Sequence, residues 1–168
     1  AVFAHFVFAL SWLESFLIGS VIFSTDAASV FNILRSQNLA LNYHTDSLLE
    51  LESGSNDPMS YMLTTAAIAL LSGESVHIPL LLAEQLAIAV LCGISMGWLA
   101  VKLLHRQLLP TQQSHTIFLL AVMVLSYAIP SYFGGNGYLS VYLCGIWIGN
   151  ANLSHKKYLI HFFDVLTN

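Results

Sequence analysis

Two short polar runs interrupt apolar stretches of the sequence and carry its most reactive side chains. The first covers residues 24–26 and ends in Asp26; the second covers residues 53–58 and includes Asn56 and Asp57. Carboxylate, amide and hydroxyl oxygens are the ligands that hard cations prefer. If these stretches cross a bilayer, each charged aspartate costs about 2.5–3.5 kcal/mol on insertion scales unless it faces a cavity, a partner or an ion. Both runs are therefore candidates for an ion site.

Helical spacing sorts the second run into two neighbouring rows of side chains. Ser53 and Asp57 lie four residues apart, as do Glu52 and Asn56, so each pair shares a face of a helix. The first row offers a hydroxyl and a carboxylate to an ion. The second row offers an amide and another carboxylate, which predicts structural polar support from Glu52.

Backbone irregularity is expected at both polar runs. Pro58 has no N–H and its ring crowds the carbonyl of Gly54, so a local opening of that helix and a freed main-chain oxygen are expected. Irregular backbone at mid-membrane is tolerated where it lines a cavity or is buried in protein. We therefore predict a broken helix around Thr25 and Asp26, with Thr25 beside the ion site.

Exchange needs a group that binds either a proton or a cation. Protonation and cation binding are mutually exclusive ways of neutralising Asp57. A structural alternative stays open, in which a protonated aspartate only hydrogen-bonds neighbouring helices. It suits Asp26 better than Asp57, since Asp57 has Ser53, Asn56 and Glu52 beside it.

The composition is that of a membrane protein. Of the 168 residues, 57% are hydrophobic and 8% are charged, against roughly 25% charged in soluble domains. At roughly 20 residues per span the length suits five or six helices. We predict an all-α polytopic bundle in one transmembrane region, with these spans: 1–10 (partial), 13–34, 47–71, 80–104, 114–133 and 138–149. The net charge of −4 offers no basic surface for nucleic acid.

Both chain ends predict an internal fragment of a longer protein, whose first and last helices are missing here. The sequence opens without Met in an apolar run and stops after a new apolar run has begun near Ile160. A signal peptide over residues 1–10 is the competing interpretation, but that stretch has no basic segment and no small-residue cleavage pattern.

The basic residues predict the orientation in the membrane. With alternating crossings, all of them fall on one side: Arg35, Lys102, Arg106, Lys156 and Lys157. By the positive-inside rule, the loops after Leu34, Leu104 and Asn150 are cytoplasmic. Gly93 and Gly97, four residues apart, predict a close helix contact.

The polar runs and their surroundings resemble a known family. Residues 24–31 (STDAASVF), residues 49–59 (LELESGSNDPM), and Val141–Gly145 followed by Gly149 and Asn150 are similar to monovalent cation/proton antiporters. The nearest likeness is to the bacterial potassium/proton branch, called cell volume regulation protein A or NhaP-type. The resemblance implies about a dozen helices in inverted repeats, a homodimer and a place in the bacterial inner membrane.

The resemblance also implies residue roles. In that family the aspartate matching Asp57 carries K⁺ or Na⁺ and H⁺ in turn, without a cofactor. Four neighbours help it: Ser53, Asn56, Thr25 and Asp26. The asparagine matching Asn56 is associated with one-for-one exchange, and the glutamate matching Glu52 pairs with an arginine on a later helix, beyond Asn168.

Two other functions remain open at this point. An intramembrane aspartyl protease also uses two membrane-embedded aspartates, although its Tyr-Asp and Gly-x-Gly-Asp contexts are absent from the sequence. A passive cation channel would show no saturable counter-transport. The resemblance favours a secondary transporter over an enzyme.

Overall fold

The computed structural model describes residues 1–25, 45–73, 77–106, 111–153, 158–159 and 162–163. Within these ranges the regular structure is helical, which confirms the predicted all-α class. The helices are α1 (Val2–Phe8), α2 (Trp12–Ile22), α3 (Thr45–Leu71), α4 (Ile78–His105), α5 (Gln112–Tyr132) and α6 (Gly137–Asn150). The chain forms two compact units, residues 1–86 and 87–168.

Long apolar segments account for the helices. The bounds of α3 to α6 lie within two residues of the spans 47–71, 80–104, 114–133 and 138–149. By length and composition, α4 and the segment Gln113–Tyr132 can each cross a membrane. Helix α2 ends at Ile22, whereas the predicted span runs from 13 to 34. Residues 26–34 of that span, including Asp26, lie outside the described residues.

A tight turn joins α1 to α2 in the first unit. Ala9 ends α1 in the left-handed conformation, with φ of 51°. The His5 Nδ1 atom lies 2.6 Å from the Leu10 carbonyl oxygen, and its ring stacks on Trp12 with 4.0 Å between centroids. Ser11 and Glu14 then form a reciprocal cap on the first turn of α2. These contacts fix where α2 begins.

Helix α3 runs without a break from Thr45 to Leu71, with Pro58 inside it. The expected opening at Pro58 is therefore wrong as an interruption of the helix. A proline removes one helix hydrogen bond, and a helix can absorb that loss and continue. Farther along α3, several small side chains are buried, among them Ala66 and Ala67.

In the second unit, α4 and α6 approach each other closely at two glycines. A Cβ atom on Gly93 would lie 2.6 Å from the Ser140 carbonyl oxygen, and one on Gly97 would lie 2.8 Å from the Trp147 Cβ atom. Real Cβ atoms do not come so near. The close contact predicted from the Gly93 and Gly97 spacing is confirmed.

A buried turn joins α5 to α6. The fully buried Asn136 side chain caps α6 by accepting a hydrogen bond of 3.1 Å from the Leu139 N–H. The Gly135 N–H donates to the Pro130 carbonyl at 2.7 Å. The glycine-rich run at 134–137 thus serves packing and capping.

Candidate cation and proton site

The two polar runs of the sequence meet where α2 ends beside α3. Ser24 and Thr25 follow the last turn of α2 and are not helical. The Ser53 hydroxyl donates to the Thr25 carbonyl oxygen at 2.5 Å, and the Asn56 amide donates to the Thr25 hydroxyl oxygen at 3.0 Å. The side chain and main chain of Thr25 therefore both bind α3.

Asp57 receives a hydrogen bond from the same segment. The Ser24 hydroxyl donates to the Asp57 Oδ1 atom. The Asp57 side chain is exposed, while the Ser53 side chain, one turn earlier, is buried. A hydroxyl donor stabilises an ionised carboxylate. The carboxylate thus has both a hydrogen-bond donor and an accessible side.

The Glu52–Asn56 pair expected from helical spacing is present. The Asn56 Nδ2 atom donates to the Glu52 Oε1 atom at 2.6 Å and to the Thr25 hydroxyl at 3.0 Å. Both amide hydrogens are therefore used, which fixes the orientation of the amide group. Glu52 holds Asn56 in place, and Asn56 in turn holds Thr25.

A buried hydrogen bond continues the α2–α3 contact beyond the polar runs. The Ser60 hydroxyl donates to the Ser20 carbonyl at 2.7 Å, and both serines are buried. Contacts from Thr25 to Ser53 and from Ser20 to Ser60 show that the two helices are antiparallel. The register between them is thus fixed on both sides of Asp57.

Of the residues predicted for the site, six lie in this contact region: Thr25, Glu52, Ser53, Asn56, Asp57 and Pro58. Asp26 lies outside the described residues. Sequence reasoning left Ser24 out of the predicted ligand set, although it contacts Asp57 directly. Ser20 and Ser60 were also missed. Their spacing was a usable signal, since Ser20 lies four residues before Ser24 and Ser60 three residues after Asp57.

The potential ligands in this region are oxygen atoms. Oxygen atoms of three kinds meet in the contact between the two runs: the hydroxyls of Ser24 and Ser53, the main-chain carbonyl of Thr25 and the carboxylate of Asp57. Across the described ranges, no group of three or more His, Cys, Asp or Glu side chains could hold a transition metal. Oxygen ligands of this kind suit a hard cation, and the carboxylate is also able to take up a proton.

A family comparison matches nearly the whole chain. The model of the transmembrane sodium/hydrogen exchanger family covers residues 1–167. The chain belongs to this family. It is thus an integral membrane protein, in agreement with its apolar helices. No solved structure gives a significant match.

Curated relatives belong to the potassium branch named from the sequence. The chain is 34% identical over 171 residues to the K(+)/H(+) antiporter NhaP2 of Shewanella oneidensis, covering 99% of this chain and 29% of that relative. It is 34% identical over 166 residues to the K(+)/H(+) antiporter NhaP of Alkalimonas amylolytica, covering 97% of this chain and 29% of that one. The chain thus spans less than a third of the relatives' length.

Proposed function

We propose that the chain forms part of the ion-binding core of an antiporter that exchanges K⁺ or Na⁺ for protons across a membrane. The observation that carries the proposal is the hydrogen-bonded contact of Ser24 and Thr25 with Ser53, Asn56 and Asp57. Family membership and the printed names of the relatives support the same activity.

Asp57 is the group that alternates between a proton and a cation. In the cation-bound state, the ionised Asp57 binds the ion together with oxygens of Ser53 and Thr25, and Asp26 contributes from the adjoining segment. In the proton-bound state, Asp57 is neutral and the ion has left. One carboxylate cannot hold a proton and a cation at once. Each time the site opens to one side of the membrane, it therefore releases one of these ions and binds the other.

Asn56 and Glu52 act as positioning residues for that exchange. Asn56 is neutral, and it donates one amide hydrogen to Glu52 and the other to Thr25. Asp57 is then the carboxylate whose charge state changes in the proposed site, which accounts for one-for-one, electroneutral exchange. Pro58 follows Asp57 directly and leaves the Gly54 carbonyl without its usual helix donor.

The same proposal includes the setting of the site. The chain is one part of a longer transporter of inverted repeats, since it spans less than a third of the relatives' length. The transporter is a homodimer in the bacterial inner membrane, surrounded by lipid, with the loops after Leu34, Leu104 and Asn150 in the cytoplasm. The basic residues near those loops support this orientation.

A vesicle assay tests the proposed exchange. The transporter polypeptide that carries this chain is reconstituted in vesicles with a pH gradient, and K⁺ or Na⁺ is added outside. Cation-driven proton movement is expected, and Asp57→Asn is expected to abolish it. Glu84→Gln, a matched loss of an exposed carboxylate on α4, should leave the rate unchanged.

The same assay separates the alternatives. Cation flux without proton movement would indicate a channel. Normal exchange by Asp57→Asn would overturn the site assignment, and cleavage of peptides within the membrane would indicate a protease.

A further inference from the structure

A second polar contact lies in the first unit, away from the Asp57 region. The Gln85 side chain on α4 is only 6% exposed, and its Nε2 atom donates to the Thr65 hydroxyl on α3 at 3.0 Å. The Thr65 hydroxyl in turn donates to the Met62 carbonyl at 2.9 Å. Within the described residues, the Gln85 Oε1 atom is buried and accepts no hydrogen bond.

Turning the amide group over does not remove this unpaired atom. With nitrogen and oxygen exchanged, Thr65 could donate to the amide oxygen, but the Nε2 atom would then be buried without an acceptor among the described residues. An unpaired buried polar atom costs about 1–3 kcal/mol in proteins. Gln85 in either orientation therefore calls for one more small hydrogen-bonding partner.

Thr65 lies on the path from Asp57 to one end of α3. Asp57, Tyr61 and Thr65 are spaced four residues apart and so share a side of the helix. At 1.5 Å per residue, Thr65 lies about 12 Å from Asp57 and about 9 Å from the end of α3 at Leu71. That end is the non-cytoplasmic one in the predicted orientation. The Thr65–Gln85 contact thus lies roughly midway between the ion site and the outer surface.

We propose that Thr65 and Gln85 bind a water molecule that relays protons between Asp57 and the non-cytoplasmic face. This inference rests on the proposed exchange function. Water fits because it can donate to Oε1 or accept from Nε2, and because a cation beside these two neutral side chains would lack a compensating charge. In the relay, this water takes a proton from a neighbouring water on the outer side and passes another of its protons to a neighbouring water on the Asp57 side, so it emerges unchanged and further waters cover the remaining distance to Asp57.

Transport kinetics of Gln85→Met test the relay. Methionine has a similar length but no hydrogen-bonding amide, so proton delivery slows while the cation site stays intact. We expect the maximal exchange rate to fall about tenfold, the rate equivalent of one lost hydrogen bond. The cation concentration for half-maximal rate should stay unchanged. Thr64→Val, a half-buried neighbour on α3, is the matched control and should exchange at the wild-type rate.

The outcomes distinguish a relay from a merely structural contact. A wild-type maximal rate in folded Gln85→Met overturns the relay, as does a parallel change in rate and half-maximal cation concentration. If Gln85→Met does not fold, Thr65→Val replaces it and is judged by the same criteria. If the wild-type protein shows no cation-driven proton movement at all, the proposed exchange function fails, which is a separate result.

A density map provides a direct check. In a high-resolution map of the full transporter in a lipid nanodisc, a water peak is expected within hydrogen-bonding distance of the Gln85 amide. A protein side chain filling that position would overturn the proposal.

Discussion

The two units hold their helices together in different ways. In the first unit, α2 and the residues that follow it meet α3 through side-chain hydrogen bonds, three of them at Thr25 and Asp57 and a fourth between Ser60 and Ser20. In the second unit, α4 meets α6 through glycines so close that a single added carbon would overlap its neighbour. Hydrogen bonds to hydroxyls and carboxylates can be exchanged for bonds to an ion. Packing contacts at glycines cannot be exchanged in this way, so they fix the distance between α4 and α6.

Enlarging a contact glycine should have the largest effect on stability. In Gly93→Ala the new Cβ atom meets the Ser140 carbonyl oxygen at 2.6 Å, so the backbones of α4 and α6 must separate. Overpacking of this kind costs about 1–3 kcal/mol. Thermal unfolding in detergent should show a clear fall in melting temperature. Gly145→Ala is the matched control, since nothing lies within 4 Å of its added Cβ, and it should unfold as the wild type does. Equal melting temperatures for both variants would contradict the rigid contact.

Removing the Asn56 amide should affect transport more than stability. Asn56→Ala loses the hydrogen bonds to Glu52 and Thr25, so Thr25 is no longer held beside Asp57. We expect the half-maximal cation concentration to rise about tenfold, since a hydrogen bond to a charged group is worth about 1.5–3 kcal/mol. Ser55→Ala, whose hydroxyl bonds only to carbonyls of its own helix among the described contacts, is the control. A similar shift in both variants would show that the effect is not specific to the site.

Ser24→Ala should give a smaller change in the same direction. Its hydroxyl donates to the Asp57 Oδ1 atom and so links the segment after α2 to that carboxylate. Asp57 is exposed, so water can replace the lost donor, and we expect the half-maximal cation concentration to rise about threefold, from a loss of about 0.5–1 kcal/mol. An unchanged half-maximal cation concentration would show that Ser24 does not position Asp57.

Ser60→Ala should have the smallest effect. It removes the hydrogen bond to the Ser20 carbonyl, which lies outside the ion-binding set. A loss of about 0.5–1.5 kcal/mol in unfolding free energy is expected, with transport retained. Loss of transport in a fully folded variant would show that Ser60 belongs to the ion site and not only to the structural contact between α2 and α3.

The sequence predicted the helices and the polar residues of the site better than it predicted which residues on different helices contact each other. Long apolar segments set the bounds of α3 to α6, and the spacing of Glu52 and Asn56 predicted their hydrogen bond. The free-energy cost of polar groups inside a membrane also indicated Thr25 and Asp57 as candidates for one site. The structure brings their two segments together.

Contacts between helices were harder to predict. The register of α2 against α3 determines that Ser20 meets Ser60 and that Ser24 meets Asp57, and periodicity within one helix does not fix that register. The contact of Gln85 with Thr65 was missed for the same reason. The predicted opening of α3 at Pro58 was wrong because the missing proline N–H removes only one hydrogen bond. Packing around the helix decides whether that loss opens it.

Proton release on cation binding tests the central claim most directly. The transporter that carries this chain is held in weakly buffered detergent solution near its working pH, and K⁺ is added while pH is recorded. If Asp57 holds a proton and a cation in turn, K⁺ should displace about one proton per occupied site, and Asp57→Asn should release none. Cation binding without proton release, or the same release from Asp57→Asn, would contradict exchange at Asp57.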